Sequence, residues 1–103
     1  MTEVLVNFDA TMLAADGTRW TPRAVGGIAD DGLWEGWIEF ASADGATHLR
    51  TPRETEQPNR EDLAYWATGL TQVYLEGALT RALTASSESP ARAPSRSPFP
   101  DRA

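Results

Sequence analysis

Apolar and polar residues alternate through much of the first half of the chain. Val4, Val6, Phe8, Ala10 and Met12 stand two apart, as do Ile38 and Phe40 in "LWEGWIEF", residues 33–40. Period two is the pattern of a half-buried β-strand. Asp-Gly interrupts the alternation three times, at Asp16-Gly17, Asp31-Gly32 and Asp44-Gly45. Asp-Gly between alternating runs marks a hairpin, because glycine supplies the positive φ that a tight reversal needs. The pattern predicts strands near 3–14, 19–29, 33–42 and 46–55, forming a four-stranded antiparallel β-meander.

Taken as two-residue loops, the turns place Val25 opposite Ile38, Phe40 opposite Leu49, and Phe8 opposite Val25. Longer loops in one or two hairpins are compatible with the same residues. One face then gathers Val4, Val6, Phe8, Ala10, Met12, Val25, Trp34, Ile38, Phe40 and Leu49, which reads as the core. The other carries Leu5, Leu13, Trp20, Ile28 and Trp37 among Glu35, Glu39 and Arg50. Trp37 falls opposite Gly26 and Glu39 opposite Arg50. Register matters here because a slip of one residue turns a whole strand over.

The second half changes period. Asn59 is a suitable N-cap, and Glu61 and Asp62 put negative charge into the first turn that follows. Leu63, Trp66, Ala67 and Leu70 then recur at helical spacing. Gly69 breaks the pattern and Thr71 can cap again, with Leu70 and Leu75 at the positions of a hydrophobic staple. Helices are expected near 60–68 and 72–84, kinked at 69–71 and packed on one face of the sheet. The fold class is α+β. In the second helix Leu75, Ala78, Leu79, Ala82 and Leu83 form a stripe that Val73 and Tyr74 widen.

Residues 85–103 hold four of the seven prolines, five of the six serines and one large apolar residue, Phe99. Such a segment buries too little to offset the entropy of ordering. A single 1–84 domain followed by a disordered tail is therefore expected. The tail lacks the P-x-x-P spacing of common polyproline ligands.

Composition narrows the functions. The chain has 9 Arg, no Lys and 15 Asp plus Glu, a formal charge of −6. That balance disfavours nucleic acid and anionic membranes as partners. With no cysteine there is no disulfide and no thiolate nucleophile or ligand. No basic leader or long apolar span is visible, so a cytoplasmic location is expected.

The run "WEGWIEF", followed by "LRTPRETEQPNREDLAYWATGLTQVYLEGALTRAL", resembles a group of short uncharacterised bacterial proteins over most of residues 18–84. The resemblance implies a small stand-alone bacterial protein. No activity is known for that group, so it brings no functional residue with it.

Candidate chemistry is sparse. His48 is the only histidine and has no neighbour at ligand spacing, so no metal or cofactor site is expected. Ser42, the one serine before the tail, has only His48 as a conceivable base, and no catalytic residue is assigned. Glu35 and Glu39, roughly 13 Å apart at the rise of a strand, are too distant for glycosidase chemistry. With Trp37 between them they form either a sugar platform or a solvated face with one covering aromatic. Arg53 falls on the expected core face opposite Gly36, itself opposite Gly27. That arrangement reads either as an anion site built from Arg53 and Trp34 with Tyr65 or Trp66, or as structural, with Arg53 paired to Glu54, Glu56 or a helix acid, or with glycines that only let a helix approach closely. Arg23, on the same expected face, has the same two readings.

Two functions of different class follow. The first is a non-enzymatic interaction or assembly module that self-associates or binds a protein partner. Its surface would be Trp20, Trp37, Leu5, Leu13 and Ile28, or the stripe of Leu75, Leu79 and Leu83. The alternative is a binder of a small anionic ligand, or an enzyme acting on one, using Arg53 near Trp34 and the helix.

Overall fold

The computed structural model describes residues 2–88. It is an α+β fold in two layers. The strands are β1 (Thr2–Asn7), β2 (Met12–Leu13), β3 (Arg19–Ile28), β4 (Trp34–Ser42), β5 (His48–Arg50) and β6 (Thr55–Gln57). They are followed by α1 (Arg60–Thr68) and α2 (Gln72–Glu88). All described pairings are antiparallel, and β1 and β2 share one flank of β3 while β5 and β6 share the far flank of β4. The chain path is the expected meander, but its outer ribbons are each broken in two, giving six strands rather than four.

Proline explains both breaks. The Pro22 carbonyl accepts from Phe8 N at 3.3 Å, so its backbone faces β1 and β2. In a strand the N–H points the same way as the carbonyl, and proline has none. The ladder bond is missing where the chain passes from β1 to β2. On the other flank, Pro52 and Arg53 form a two-residue excursion. Thr51 N bonds Ile38 O at 2.9 Å before it, and Glu54 N bonds Gly36 O at 2.8 Å after it. The Thr51 hydroxyl, fully buried, accepts from Ile38 N at 3.1 Å and holds the β4 backbone across the gap.

Each Asp-Gly does turn the chain, with φ of 89° at Gly17, 85° at Gly32 and 75° at Gly45. The loops are longer than two residues. Ala14 N bonds Thr18 O, and Ala29 N bonds Leu33 O, closing three-residue loops. Ser42 N bonds Thr47 O around a four-residue loop. In each, the aspartate carboxylate accepts the N–H two residues on, at 2.9–3.0 Å. This local bond favours the longer loop over a bare type I′ turn.

The third loop keeps the expected register, with Phe40 opposite Leu49 and Glu39 opposite Arg50. The second shifts it by one residue. Trp37 faces Val25, Ile38 faces Ala24, and Gly36 faces Gly26. Strand β3 is therefore turned over relative to expectation. Trp20 and Ala24 enter the helix-covered core with Met12, Ile38 and Phe40, while Val25 and Arg23 go to the open face. Strand β1 adds a bulge between Val4 and Val6, which sends Leu5 toward the core beside Gly26 and leaves Val4 on the open face opposite Val25.

The helices begin where capping chemistry puts them. Asn59 Oδ1 accepts from Asp62 N at 2.8 Å, and Thr71 Oγ1 from Tyr74 N at 3.2 Å. Gly69 ends α1, its N–H reaching the carbonyls of Tyr65 and Trp66. Leu63, Ala67, Leu75, Ala78, Leu79 and Ala82 are buried against the sheet, and the alanines allow close approach. Helix α2 continues past the expected end at 84 to Glu88; the rest of the expected tail, 89–103, lies outside the described residues. Asn59→Ala should lower stability by about 1 kcal/mol, read as a shift in urea midpoint at unchanged slope.

Gly26 and Gly36 are adjacent in the ladder and both are covered by α1. A Cβ on Gly36 would lie 2.7 Å from Trp66 Cζ3 and 2.8 Å from Leu63 Cδ1. The space above the paired glycines is therefore filled by Leu63 and Trp66. Among the described residues no helix is long and apolar enough to cross a membrane.

Candidate functional site

The face of the sheet away from the helices is where charged side chains are organised. The β1–β3, β3–β4 and β4–β5 registers set Asn7, Arg23, Glu39 and Arg50 in one row. Arg23 Nε and Nη2 donate to Glu39 Oε1 at 3.1 and 2.7 Å. Trp37 Nε1 donates to Glu39 Oε2 at 3.1 Å, and the Arg50 guanidinium lies over the indole, 4.2 Å from its centroid. These contacts, with Val25 alongside, leave Trp37 only 5% exposed. A tryptophan on the charged face is thus buried by its neighbours and serves as a platform for an arginine. Burial pushes the Glu39 carboxyl up most strongly, yet the bonds from Trp37 and Arg23 outweigh it and hold the group below the usual range.

The structure separates the residues of the expected anion site. Arg53, in the Pro52–Arg53 excursion, lies on the open face rather than the core face. It pairs with Glu56 at 3.1 Å and Glu35 at 3.5 Å. Trp34 is on the opposite face of β4, between Ile28 and Gln57, and Tyr65 is 81% exposed on α1. Arg23 joins the open-face row because β3 is turned over.

The expected interface residues divide in the same way. Trp20, Leu75 and Leu79 are buried in the core, and Leu5 is packed against it. The Trp20 indole N–H has no partner among the described residues. Burying roughly 200 Å² of indole contributes about 5 kcal/mol, which outweighs about 1–3 kcal/mol for the unpaired donor. Leu13 and Ile28 remain exposed, at opposite ends of the sheet. Leu13 borders a groove of about 670 Å³ between β2 and α2, whose apolar wall includes Met12, Leu79 and Leu83.

One constellation had no counterpart in the sequence reading. Glu54, just before β6, accepts from the Tyr74 hydroxyl at 2.6 Å and from Arg81 Nε and Nη2 at 3.2 and 2.5 Å. Its side chain is 8% exposed. Burial is the strongest influence on Glu54 and raises it, but the bonds from Arg81 and Tyr74 prevail and lower its pKa. Tyr74 is pushed up to about 12, first by burial and then by the Glu54 carboxylate. The three residues tie α2 to the sheet edge. They lie 20 and 27 positions apart, and no local spacing announces them.

Among the described residues no group of His, Asp and Glu is placed to hold a metal ion. Comparison of the chain with protein-family models, with curated proteins and with solved structures finds no match.

Proposed function

We propose that the protein is a small interaction module that assembles with a second copy of itself through the β1 edge. The observation that carries this reading is the contrast between the two edges of the sheet. The β5–β6 edge is cut into three-residue strands by an excursion bearing Pro52 and Arg53. Proline, charge and short strands are the usual means of blocking edge-to-edge pairing. The β1 edge has six residues, "TEVLVN", with no proline and no cation. Its one charge, Glu3, is bound by Arg60 at 2.6 Å, and Val4 is 42% exposed. Among the described residues, a bulge at Leu5 interrupts it once. Antiparallel pairing of two β1 strands about a two-fold axis would satisfy both free edges and join the two sheets.

Light scattering on the full chain at high micromolar concentration is expected to give the mass of a dimer. Val4→Lys places a charge on the edge and should yield a monomer with stability changed by less than about 0.5 kcal/mol. A monomeric parent chain would end this reading, as would a dimer indifferent to Val4→Lys.

A further inference from the structure

The geometry points to a binding site for a phosphate monoester on the open sheet face, with Arg50 as its fork and Arg23 as a second cationic donor. Of the six arginines in residues 2–88, four make ion pairs: Arg23, Arg53, Arg60 and Arg81. Arg19 makes none but shares its concavity with Asp16 and Asp44. Arg50 makes none among the described residues, in a segment with six arginines against fourteen carboxylates. The Glu39 oxygens are engaged by Arg23 on one side and by the Trp37 indole on the other. Arg50 is nevertheless held in place, stacked at 4.2 Å on a tryptophan that is itself fixed by Glu39.

Arg50, Arg23 and the exposed His48 imidazole line one concavity of about 280 Å³, with Glu39 and Leu49 completing it. Strands β3 and β5 flank β4, so the two arginines rise from backbones roughly 10 Å apart. Arg23 reaches Glu39 and Arg50 stacks on Trp37, so both guanidinium groups come to rest over the strand between them. A guanidinium presents planar, paired donors that match two phosphate oxygens. Arg50 offers such a fork, Arg23 adds the Nη1 side that Glu39 leaves unbound, and with an imidazole these donors suit a phosphate better than a planar carboxylate. Glu39 positions Arg23 and Trp37 positions Arg50, so little side-chain order is lost when an anion enters. The concavity is open to solvent, which leaves room for an organic group carried on the phosphate. This site does not depend on the β1 edge and is independent of the assembly reading.

The test is an NMR titration of the full chain with inorganic phosphate, then phenyl phosphate, against acetate at matched ionic strength. Both phosphates are expected to shift the Trp37 indole N–H and the amides of Arg23, His48 and Arg50 along saturating curves, while acetate does not. Arg50→Gln should weaken binding by about tenfold or more. Arg50→Lys, which keeps the charge but loses the fork, should weaken it by a similar factor. Arg53→Gln removes the same charge from the same face and should change the affinity by less than about twofold. Equal weakening by Arg53→Gln, non-saturating shifts, or no shifts at these residues would each overturn the site.

Discussion

Gly26→Ala is expected to destabilise the fold by about 3 kcal/mol, the upper end for overpacking in a tight core. A Cβ at that position would stand 2.5 Å from the backbone oxygen of Glu35 and 2.6 Å from Leu63 Cδ2. The oxygen belongs to the neighbouring strand and cannot retreat without disturbing the β3–β4 ladder. Leu63 is fully buried and is packed against Gly36 as well as Gly26. For Gly36→Ala the three nearest atoms are all in side chains, those of Trp66, Leu63 and Thr55 at 2.7–3.0 Å. Its cost should be smaller, about 1–2 kcal/mol, because side chains yield more readily than backbone. Urea unfolding of both variants measures the difference. A Gly26→Ala protein as stable as its parent would show that α1 is not seated on this glycine pair.

The second large effect is at Glu54. Glu54→Gln keeps the shape but replaces a carboxylate that takes three hydrogen bonds. The expected loss is about 2 kcal/mol. That lies below the 3–5 kcal/mol typical of breaking a buried pair, because Arg81 is 45% exposed and regains water. The pH dependence has a definite sign. Glu54 titrates lower in the folded protein than its ordinary 4.5. Its stabilisation is therefore complete above that value and is lost as pH falls through the depressed folded pKa. Tyr74 runs the other way, from 10.0 to about 12. Its contribution is complete below pH 10.0 and is lost as pH rises toward about 12. Stability curves of the parent should fall on both limbs. Glu54→Gln should flatten the acid limb and Tyr74→Phe the alkaline one. Unchanged limbs in both variants would exclude the triad as the tie between α2 and the sheet.

Removing these two contacts tests how the layers are joined, and neither contact was legible in the same degree. The glycines were visible as a pair of positions without side chains, and their role in admitting a helix was one of the two readings available. Their partner was misplaced by one residue, Gly27 for Gly26, because the loop at Asp31-Gly32 has three residues instead of two. The Glu54 cluster left no trace, because its members come from a strand edge and from two turns of a helix.

The same contrast runs through the candidate sites. Trp34 and Trp37 occupy opposite faces of β4, as alternation within one strand requires. Which of those faces also holds Trp20 depends on how β3 is phased against β4, and there the sequence reading put Trp20 on the wrong side. Arg53 moved for a related reason: the Pro52–Arg53 excursion takes it out of the ladder before its face can be counted. Arg50 stacked on Trp37 follows from the one register that was read correctly, that of β4 and β5.

What the sequence determined by itself is local. The alternation of apolar residues marked the strands, Asp-Gly marked the reversals, and Asn59, Gly69 and Thr71 marked the ends of the helices, since caps and turns are made by residues within a few positions of one another. What only the tertiary structure decided is how these elements face each other. The parity of a loop sets the side on which an entire strand presents its residues, and one extra residue costs almost no free energy locally. The balance is struck by burial across the sheet, where Leu63 fits over two glycines and Trp20 under α2, and that sum is over the whole core rather than any stretch of chain.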